Sequence, residues 1–181
     1  LHIGKFHISK TILGKGSNGT VVYEGKLDGR KVAIKRMLRE FYDEANKEIE
    51  LLIESDEHSN VVRYFAKEED TTFVYLALEY CPCTLADFIE NDSSSSPLTQ
   101  DAQAVNDMTI IHQLVQSIVH IHSLGIVHLD LKPQNILLSQ NCRVKLSDMG
   151  LGKRLDKNKS SFCASVAGTL GWQAPEILKG N

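Results

Sequence analysis

The sequence has few of the features that are typical of zinc-binding, membrane-spanning or nucleic-acid-binding proteins. It has only four cysteines among 181 residues, and only Cys81 and Cys83 lie close together, without the second Cys or His pair that a zinc site needs. No apolar run approaches the ~18 to 20 residues of a membrane helix. The net charge of -3 gives no basic excess for nucleic acid. We therefore expect reduced thiols, no membrane segment and no direct nucleic-acid site in this chain.

The composition is that of a folded domain. With 181 residues, of which 42% are hydrophobic, the chain can bury a sizeable core as one domain or as two small lobes. The first residues, from Leu1 to Lys5, include neither an initiator methionine nor a signal-peptide pattern. We therefore expect a soluble piece of a longer protein.

The first half of the chain predicts an antiparallel sheet with one helix packed on it. Short β-branched stretches alternate with glycine-rich turns between Phe6 and Ile34, and Asp28-Gly29 is typical of a hairpin turn. Apolar residues recur at helical spacing over 41–54, which predicts an amphipathic helix. Two further strands are expected at 61–66 and 73–79.

The second half predicts helices followed by a hairpin. Thr84 to Asp87 has the pattern of a capping box that opens a short helix. A longer helix is expected over 107–124, with Gly125 as its C-terminal cap. The alternating apolar stretches 136–138 and 144–146 predict a hairpin that presents the loops on either side of it.

The main functional signal is a set of five motifs in the order typical of protein kinases. They are the loop Gly14-x-Gly16-x-x-Gly19, then Val32-Ala-Ile-Lys35, His128-Leu-Asp130-Leu-Lys132-Pro-Gln-Asn135, Asp148-Met-Gly150 and Ala174-Pro-Glu176. They predict an α+β, two-lobed, protein-kinase-like fold. Residues 1–80 would form the sheet lobe with one regulatory helix, and 81–181 the hinge and an incomplete, mainly helical lobe that ends with the activation segment.

The glycine motif lies between two predicted strands, which is typical of a flap over phosphates and not of a dinucleotide-binding strand-turn-helix unit. We expect Gly14, Gly16 and Gly19 to let backbone N–H groups approach the phosphates, because a side chain would keep them apart.

Lys35 is predicted to hold the α and β phosphates of a nucleotide. A lysine in this role needs a carboxylate to fix its position. Glu48, in the middle of the first helix, is the favoured partner. Glu44, one turn earlier, and Glu50 are the alternatives.

The two later motifs predict the catalytic groups. Asp130 is expected to orient an attacking hydroxyl and accept its proton, and Lys132 to neutralise charge on the transferring phosphoryl group. Asn135 and Asp148 are the expected ligands of Mg²⁺.

The nucleotide base needs an apolar slot. The expected lining residues are Leu13, Val21, Ala33, Leu78 and Leu137, and backbone groups of Glu79 and Cys81 are expected to bond the adenine edge. For any one lining residue, a role in the core alone remains an equal alternative. The expected cofactors are ATP or ADP and Mg²⁺.

Three segments narrow the resemblance beyond protein kinases in general. Gly16 to Gly25, Glu54 to Phe65 and Gly168 to Glu176 closely resemble the inositol-requiring kinase/endoribonuclease sensors, the endoplasmic-reticulum stress sensors of the unfolded-protein response. The resemblance covers nearly the whole chain. Asp148-Met-Gly150 followed by Lys153-Arg-Leu155 looks most like the plant branch.

The resemblance implies a serine/threonine kinase that phosphorylates itself in trans. Nucleotide binding and back-to-back dimerisation would switch on an RNase attached after the kinase domain. The implied partners are thus a nucleotide and a second copy of the chain, which is also the implied protein substrate. Ser160, Ser161 and Ser165 lie in the stretch where the family is phosphorylated. The implied location of the parent protein is the cytosolic face of the endoplasmic-reticulum membrane.

Two departures from the family pattern bear on activity. Leu129 stands where the family has the arginine that meets the activation-loop phosphate, so loop phosphorylation is expected to be uncoupled from activity. The chain also ends at Asn181, soon after Glu176, so we expect Glu176 to lack its arginine partner and the helix over 107–124 to expose apolar surface. We expect such a chain to fold poorly as an active enzyme.

Two alternatives to an active kinase stay open on the sequence. The chain could be a nucleotide-responsive dimerisation module with weak or no phosphotransfer, which Leu129 favours. It could also be a truncated product that competes with a full-length relative for dimer contacts. Retention of Lys35, Asp130, Asn135 and Asp148 favours the kinase.

Overall fold

The computed structural model describes residues 1–90, 106–155 and 168–178. Its first part is one antiparallel sheet of six strands with the spatial order β1-β2-β3-β4-β6-β5. The strands are β1 (His2–Ile3), β2 (Phe6–Lys15), β3 (Val21–Leu27), β4 (Arg30–Leu38), β5 (Tyr64–Glu69) and β6 (Phe73–Glu79). The predicted turn joins β3 to β4, and Asp28 and Gly29 both have positive φ, 48° and 81°, as a tight two-residue hairpin requires.

One helix covers one face of this sheet. A 3₁₀ turn at Arg39–Phe41 leads into α1 (Tyr42–Ser55), close to the helix predicted over 41–54. The apolar side of α1 packs against Met37 of β4 and against the alternate residues Val74, Leu76 and Leu78 of β6 to form the main core, because side chains along a strand alternate between faces. This core also includes Ile121, Leu146 and Met149, so it joins the sheet to the second part of the chain.

The opposite face of the sheet has a smaller core of its own. Its buried residues are Phe6, Ile8, Val32, Ile34, Tyr75 and Ala77. Gly25 lies beside it, where a Cβ atom would come within 2.6 Å of Ile34 Cγ1 and 2.8 Å of the His7 carbonyl oxygen. The strands can approach this closely because residue 25 has no side chain.

The second part of the chain is built from short strands and helices. β7 (Cys83–Thr84), β9 (Ile136–Leu138) and β10 (Val144–Leu146) form one small sheet, and β8 (Ile126–Val127) pairs with β11 (Lys153–Arg154). The helices are α2 (Leu85–Glu90), α3 (Asp107–Ser123) and α4 (Pro175–Leu178). The predicted two-lobed α+β fold is confirmed, as is the predicted hairpin of β9 and β10.

Two helix ends form where the sequence predicts them. The Asp87 N–H group donates to Thr84 Oγ1 at 3.0 Å, and the Thr84 N–H group donates to Asp87 Oδ2 at 2.9 Å, which is the reciprocal pair of a capping box. At the end of α3, Gly125 has a φ of 72°, and its N–H group donates to the His122 carbonyl at 2.9 Å. Local sequence therefore sets both boundaries.

The strand predicted at 61–66 begins three residues later, at Tyr64. Val61 forms a parallel bridge with Leu146, and the Val62 N–H group donates to the Leu146 carbonyl at 2.9 Å. A contact between distant parts of the chain therefore overrides the local β-propensity of the two valines.

The side chain of Asn60 extends this link. Its Nδ2 atom donates to the Val144 carbonyl at 2.8 Å and to Gln113 Oε1 at 3.0 Å. Gln113 Oε1 also accepts the Val144 N–H group at 2.9 Å. Because Asn60 is 4% exposed, these bonds fix the loop after α1 to β10 and α3 in a site that water hardly reaches.

α3 also exposes an apolar stripe. Met108, Ile111, Val115 and Val119 are 71%, 51%, 49% and 62% exposed, and their spacing places them along one side of the helix. α3 therefore exposes apolar surface, as expected from the sequence. None of the helices in the described ranges has the length and hydropathy needed to span a membrane.

We predict that Asn60→Ala lowers the free energy of unfolding by about 1–3 kcal/mol, because the buried Val144 carbonyl loses its side-chain donor and the half-buried Gln113 loses one of its two donors. Urea unfolding measures this change. The matched control is Ser59→Ala, an exposed neighbour, for which we expect a change within about 0.5 kcal/mol. Equal losses in the two variants would contradict the role given to Asn60.

Candidate functional site

The centre of the candidate site is a buried ion cluster. Lys35 Nζ lies 2.7 Å from both carboxylate oxygens of Glu48 and 2.9 Å from Asp148 Oδ1. The side chains of Lys35 and Glu48 are only 10% and 1% exposed, whereas that of Asp148 is 45% exposed. β4, α1 and the segment after β10 therefore meet at one cation.

Local structure explains why Glu48 is the partner. Lys35 shares its side of β4 with the residues that pack on α1, and Glu48 lies on the same side of α1 as the fully buried Ala45 and Leu52. The alternatives Glu44 and Glu50 are exposed. The structure therefore pairs Lys35 with Glu48 and with neither alternative.

The cluster favours the charged forms of Lys35 and Asp148, whereas burial raises the pKa of Glu48. Burial alone would lower the pKa of Lys35, but the charges of Glu48 and then Asp148 reverse this effect and raise it. The charge of Lys35 in turn lowers the pKa of Asp148 below its usual value. Asp148 is thus a carboxylate at neutral pH, as a metal ligand must be.

A second cluster surrounds Asp130. Its Oδ2 atom lies 2.9 Å from Lys132 Nζ and accepts from Asn135 Nδ2 at 2.9 Å. Its Oδ1 atom accepts the hydroxyl of Thr169 at 2.7 Å, and Lys132 Nζ donates to the same hydroxyl at 2.6 Å. Burial opposes ionisation, but these donors outweigh it and lower the pKa of Asp130. The carboxylate is therefore able to accept a proton from a hydroxyl.

Hydrogen bonds tie the Asp130 loop to Asp148 through the residue before it, Ser147. The N–H and Oγ–H groups of Ser147 both donate to the Asn135 carbonyl at 3.0 Å. The carbonyl of Ser147 lies 2.8 Å from His128 Nε2. The two predicted catalytic segments thus hold each other in place.

His128 braces this junction. It is 2% exposed, and its Nδ1 atom lies 3.3 Å from the Asp130 N–H group. Because Nδ1 faces a donor and Nε2 faces a carbonyl, we assign the neutral tautomer with the proton on Nε2. Burial lowers the pKa of His128, and the Ser147 carbonyl and nearby carboxylates oppose this only in part.

Asn135 and Asp148 are the predicted ligands of a divalent cation. Asn135 directs its amide nitrogen at the Asp130 carbonyl and carboxylate, at 2.8 and 2.9 Å, which leaves the amide oxygen for a cation. Within the described ranges no group of three or more His, Cys, Asp and Glu side chains could hold a metal. Nucleotide phosphates would therefore supply further ligands, as is usual for Mg²⁺.

The glycine-rich loop lies beside this cluster. The Gly16 N–H group donates to the Thr20 carbonyl at 2.9 Å, and Gly19 has a φ of 70°, which glycine adopts without strain. Gly14 pairs with Val22, and Val22 pairs with Lys35. Gly16 and Gly19 therefore lie in the connection between β2 and β3, whereas Gly14 lies near the end of β2.

The register of β3 and β4 corrects one predicted lining residue, Val21. Val21 pairs with Arg36, whereas Val22 pairs with Lys35. Paired residues of antiparallel strands project to the same face, so Val22 and not Val21 shares the face of Lys35. Both valines fit the sequence pattern, and a shift of one residue in the register exchanges their faces.

Among the other predicted lining residues, Ala33 and Leu78 lie on the face of Lys35. Ala33 pairs with Leu78, and both are 8% exposed. Leu13 and Leu137 are half-buried. The predicted hinge residues Glu79 and Cys81 come at the end of β6 and just after it, and burial raises the pKa of Cys81 to about 12, so its thiol stays protonated.

Two features of the site were not predicted from the sequence. Thr169 contacts Asp130 across 39 positions of the chain, and no local pattern predicts such a contact. Val22 could have been found from the hairpin, because counting back from the Asp28-Gly29 turn pairs it with Lys35.

The described cysteines, Cys81, Cys83 and Cys142, are free thiols, as predicted. The predicted acceptors Ser160, Ser161 and Ser165 lie outside the described residues.

Comparisons with known proteins show which family the chain resembles. The family described as "Protein kinase domain" matches residues 7–181. The serine/threonine-protein kinase/endoribonuclease ireA of Aspergillus fumigatus is 50% identical over 190 residues, which cover 98% of this chain and 16% of the relative. The serine/threonine-protein kinase/endoribonuclease IRE1 of Oryza sativa is 47% identical over 192 residues, with 98% and 22% covered.

A third relative is named as a sensor for unfolded proteins in the ER, ire1 of Schizosaccharomyces pombe. It is 43% identical over 182 residues, which cover 94% of this chain and 17% of the relative. The resemblance to kinase/endoribonuclease sensors is therefore confirmed, and it extends to fungi as well as plants. The chain spans only 16 to 22% of the length of these three relatives.

We predict that Glu48→Gln lowers the free energy of unfolding by on the order of 3 kcal/mol, because it leaves the buried Lys35 charge with a single carboxylate. Chemical unfolding with urea measures the loss. Glu44→Gln is the matched control, since it removes the same charge from an exposed position of the same helix. Similar losses in the two variants would show that the ion pair contributes little.

A second prediction concerns pH. The folded state holds His128 neutral, whereas the unfolded chain binds a proton below the ordinary pKa of 6.5. Stability should therefore fall as the pH drops from about 6.5 through the lowered pKa of the folded state. His128→Phe, which cannot titrate, should be less stable throughout but show a flatter slope in this range. Parallel stability curves from pH 7 to pH 4.5 would refute the assignment.

Proposed function

The chain belongs to the protein kinase family. We propose that it is an ATP-dependent serine/threonine kinase domain that uses Mg²⁺ and phosphorylates a second copy of the same protein in trans. The observation that carries the proposal is the joining of two clusters in one site, Lys35 with Glu48 and Asp148, and Asp130 with its donors. One cluster suits phosphate and metal, and the other suits a hydroxyl.

Phosphoryl transfer depends mainly on positioning and electrostatics. Lys35, held by Glu48, binds the α and β phosphates, and the glycine-rich loop covers them. Asp148 and Asn135 would hold Mg²⁺, and the ion would neutralise phosphate charge. Asp130 orients the acceptor hydroxyl and takes its proton, while Lys132 neutralises charge on the transferring group.

The names of the relatives support a wider proposal for the parent protein. They are called serine/threonine-protein kinase/endoribonucleases, and one is called a sensor for unfolded proteins in the ER. We propose that this chain is the kinase domain of such a stress sensor, on the cytosolic face of the endoplasmic-reticulum membrane. There, nucleotide binding and homodimerisation would couple to an RNase elsewhere in the protein.

Leu129 favours a second candidate, a nucleotide-responsive module with weak phosphotransfer. This residue lies between His128 and Asp130 with a φ of 65°, where the resembled family has arginine. An apolar side chain there cannot bind a phosphate on the activation segment. In this candidate, binding of the nucleotide shifts the protein between states without turnover.

We predict that incubation with Mg²⁺ and ATP places phosphate on Ser160, Ser161 or Ser165, read by mass spectrometry. Asp130→Asn should reduce the rate by roughly 10²- to 10⁴-fold, because it removes the proton acceptor, and should leave nucleotide affinity almost unchanged. The matched control is Asp107→Asn, an exposed aspartate at the start of α3, which should retain the full rate.

The outcomes separate the candidates. Phosphoserine that disappears in Asp130→Asn supports the kinase despite Leu129. Nucleotide binding without any phosphoserine in the unmodified protein supports the nucleotide-responsive module. An unchanged rate in Asp130→Asn would overturn the role given to this residue.

A further inference from the structure

Two histidine rings stack where the loop after α1 meets α3. His58 belongs to that loop and His120 to α3, and their ring centroids lie 4.8 Å apart with the ring planes inclined by 25°. Both side chains are half-buried, and the proposed phosphotransfer uses neither of them. Histidine ordinarily gains its charge between about pH 5 and pH 8. This contact therefore joins two groups that bind protons in the same range of pH.

Each ring fixes the loop through a hydrogen bond. The Asn60 N–H group donates to His58 Nδ1 at 3.1 Å, and His120 Nε2 lies 3.1 Å from the Ser55 carbonyl. We assign the neutral form to His58, because Nδ1 accepts a bond, and we place the proton of His120 on Nε2, because that atom faces a carbonyl. Protonation of His58 on Nδ1 would therefore break its bond to the loop, whereas protonation of His120 would keep the bond to Ser55.

The basic groups around His58 oppose a positive charge on its ring. Burial lowers the pKa of His58, and the ring of His120 on α3 and the ammonium group of Lys145 on β10 lower it further. Two protonated rings at this separation would also repel each other. The stacked arrangement is thus favoured while His58 is neutral.

The acidic groups nearby are engaged elsewhere or exposed. Asp56 Oδ2 accepts a backbone N–H group of β5 at 3.3 Å, Glu79 pairs with Lys145 at 2.8 Å, and Glu57 is exposed. Within the described ranges, neither histidine ring forms an ion pair with a carboxylate. A charged His58 would therefore have no such partner to compensate it.

We propose that the stacked pair of His58 and His120 is a pH-sensitive latch between the loop after α1 and α3, which protonation opens in mildly acidic solution. A proton on His58 Nδ1 would set one donor against another, the Asn60 N–H group, and would add a positive charge beside His120 and Lys145. The proposal does not depend on the proposed kinase activity.

The direction of the pH effect follows from linkage. When the latch is open, His58 is in water and binds a proton at the ordinary pKa of 6.5, whereas the closed latch lowers this pKa. The closed state is therefore fully favoured above about pH 6.5, and it loses stability as the pH falls through the lowered pKa.

The latch acts on the helix that carries Glu48. Ser55, whose carbonyl faces His120, is the last residue of α1. We expect acid to loosen this end of α1 and the loop after it before the rest of the chain unfolds, because local openings need less free energy than global unfolding.

The test measures amide hydrogen exchange by NMR on the unmodified protein at about pH 7.5 and about pH 5.5. Rates are expressed as protection factors, so that the intrinsic effect of pH on exchange cancels. The reporter amides are Asn60, bonded to His58 Nδ1, and Val61, bonded to the His58 carbonyl at 3.0 Å. We expect both protection factors to fall several-fold at the lower pH, and by more than those of the β3–β4 hairpin, to which neither ring is bonded.

Three histidine variants control the test. His58→Asn does not titrate in this range, and its side-chain oxygen can accept the N–H group two residues on, so the additional fall should disappear. His120→Phe keeps a stacked ring without a charge and should make the fall smaller. His122→Asn is the matched control, because His122 is an exposed histidine of the same helix, and it should show the full fall.

Two results would overturn the proposal. One is a fall at Asn60 and Val61 of the unmodified protein that is no larger than the fall in the β3–β4 hairpin, and this measurement requires no variant to fold. The other is an equal additional fall in His58→Asn and His122→Asn, which would assign the response to pH to another group.

Discussion

The structure depends on the neutralisation of one buried cation. A lysine taken out of water costs several kcal/mol unless charges and hydrogen bonds compensate it, and Lys35 receives them from Glu48 and Asp148. These residues come from β4, from α1 and from the segment after β10. The position of α1 on the sheet and that of Asp148 are therefore set together, and the main core packs around the same junction.

The carboxylates of Asp148 and Asp130, to which the proposed function gives a role, are kept ionised by different means. Asp148 depends on the charge of Lys35, whereas Asp130 is stabilised by hydrogen bonds from Thr169, Lys132 and Asn135. A metal cation beside Asp148 would compete with Lys35 for the carboxylate. At Asp130, the hydroxyl of an acceptor would take the place of another neutral donor, the hydroxyl of Thr169. This difference suits Asp148 to hold a metal and Asp130 to accept a proton.

β4 places a cationic side chain on each face of the sheet. Alternation along the strand places Lys35 towards α1 and the nucleotide site, and Arg36 towards a pocket with aromatic walls. The two side chains are adjacent in sequence but differ in their electrostatic surroundings. Lys35 is fully paired, while Arg36 has rings beside it and a buried nitrogen without an acceptor.

The sequence by itself determined the elements and the chemistry that depend on local pattern. Caps at Thr84 and Gly125 and the Asp28-Gly29 turn follow from spacing, because helix periodicity and turn chemistry act over a few residues. Spacing favoured Glu48 as the partner of Lys35 and left Glu44 and Glu50 as alternatives. Tertiary structure alone decided features that depend on register and on distant contacts. These include the bond from Thr169 to Asp130 and the bridge from Val61 to Leu146. Pairing between distant segments is set by the packing of the whole core, and no short stretch of sequence contains that information.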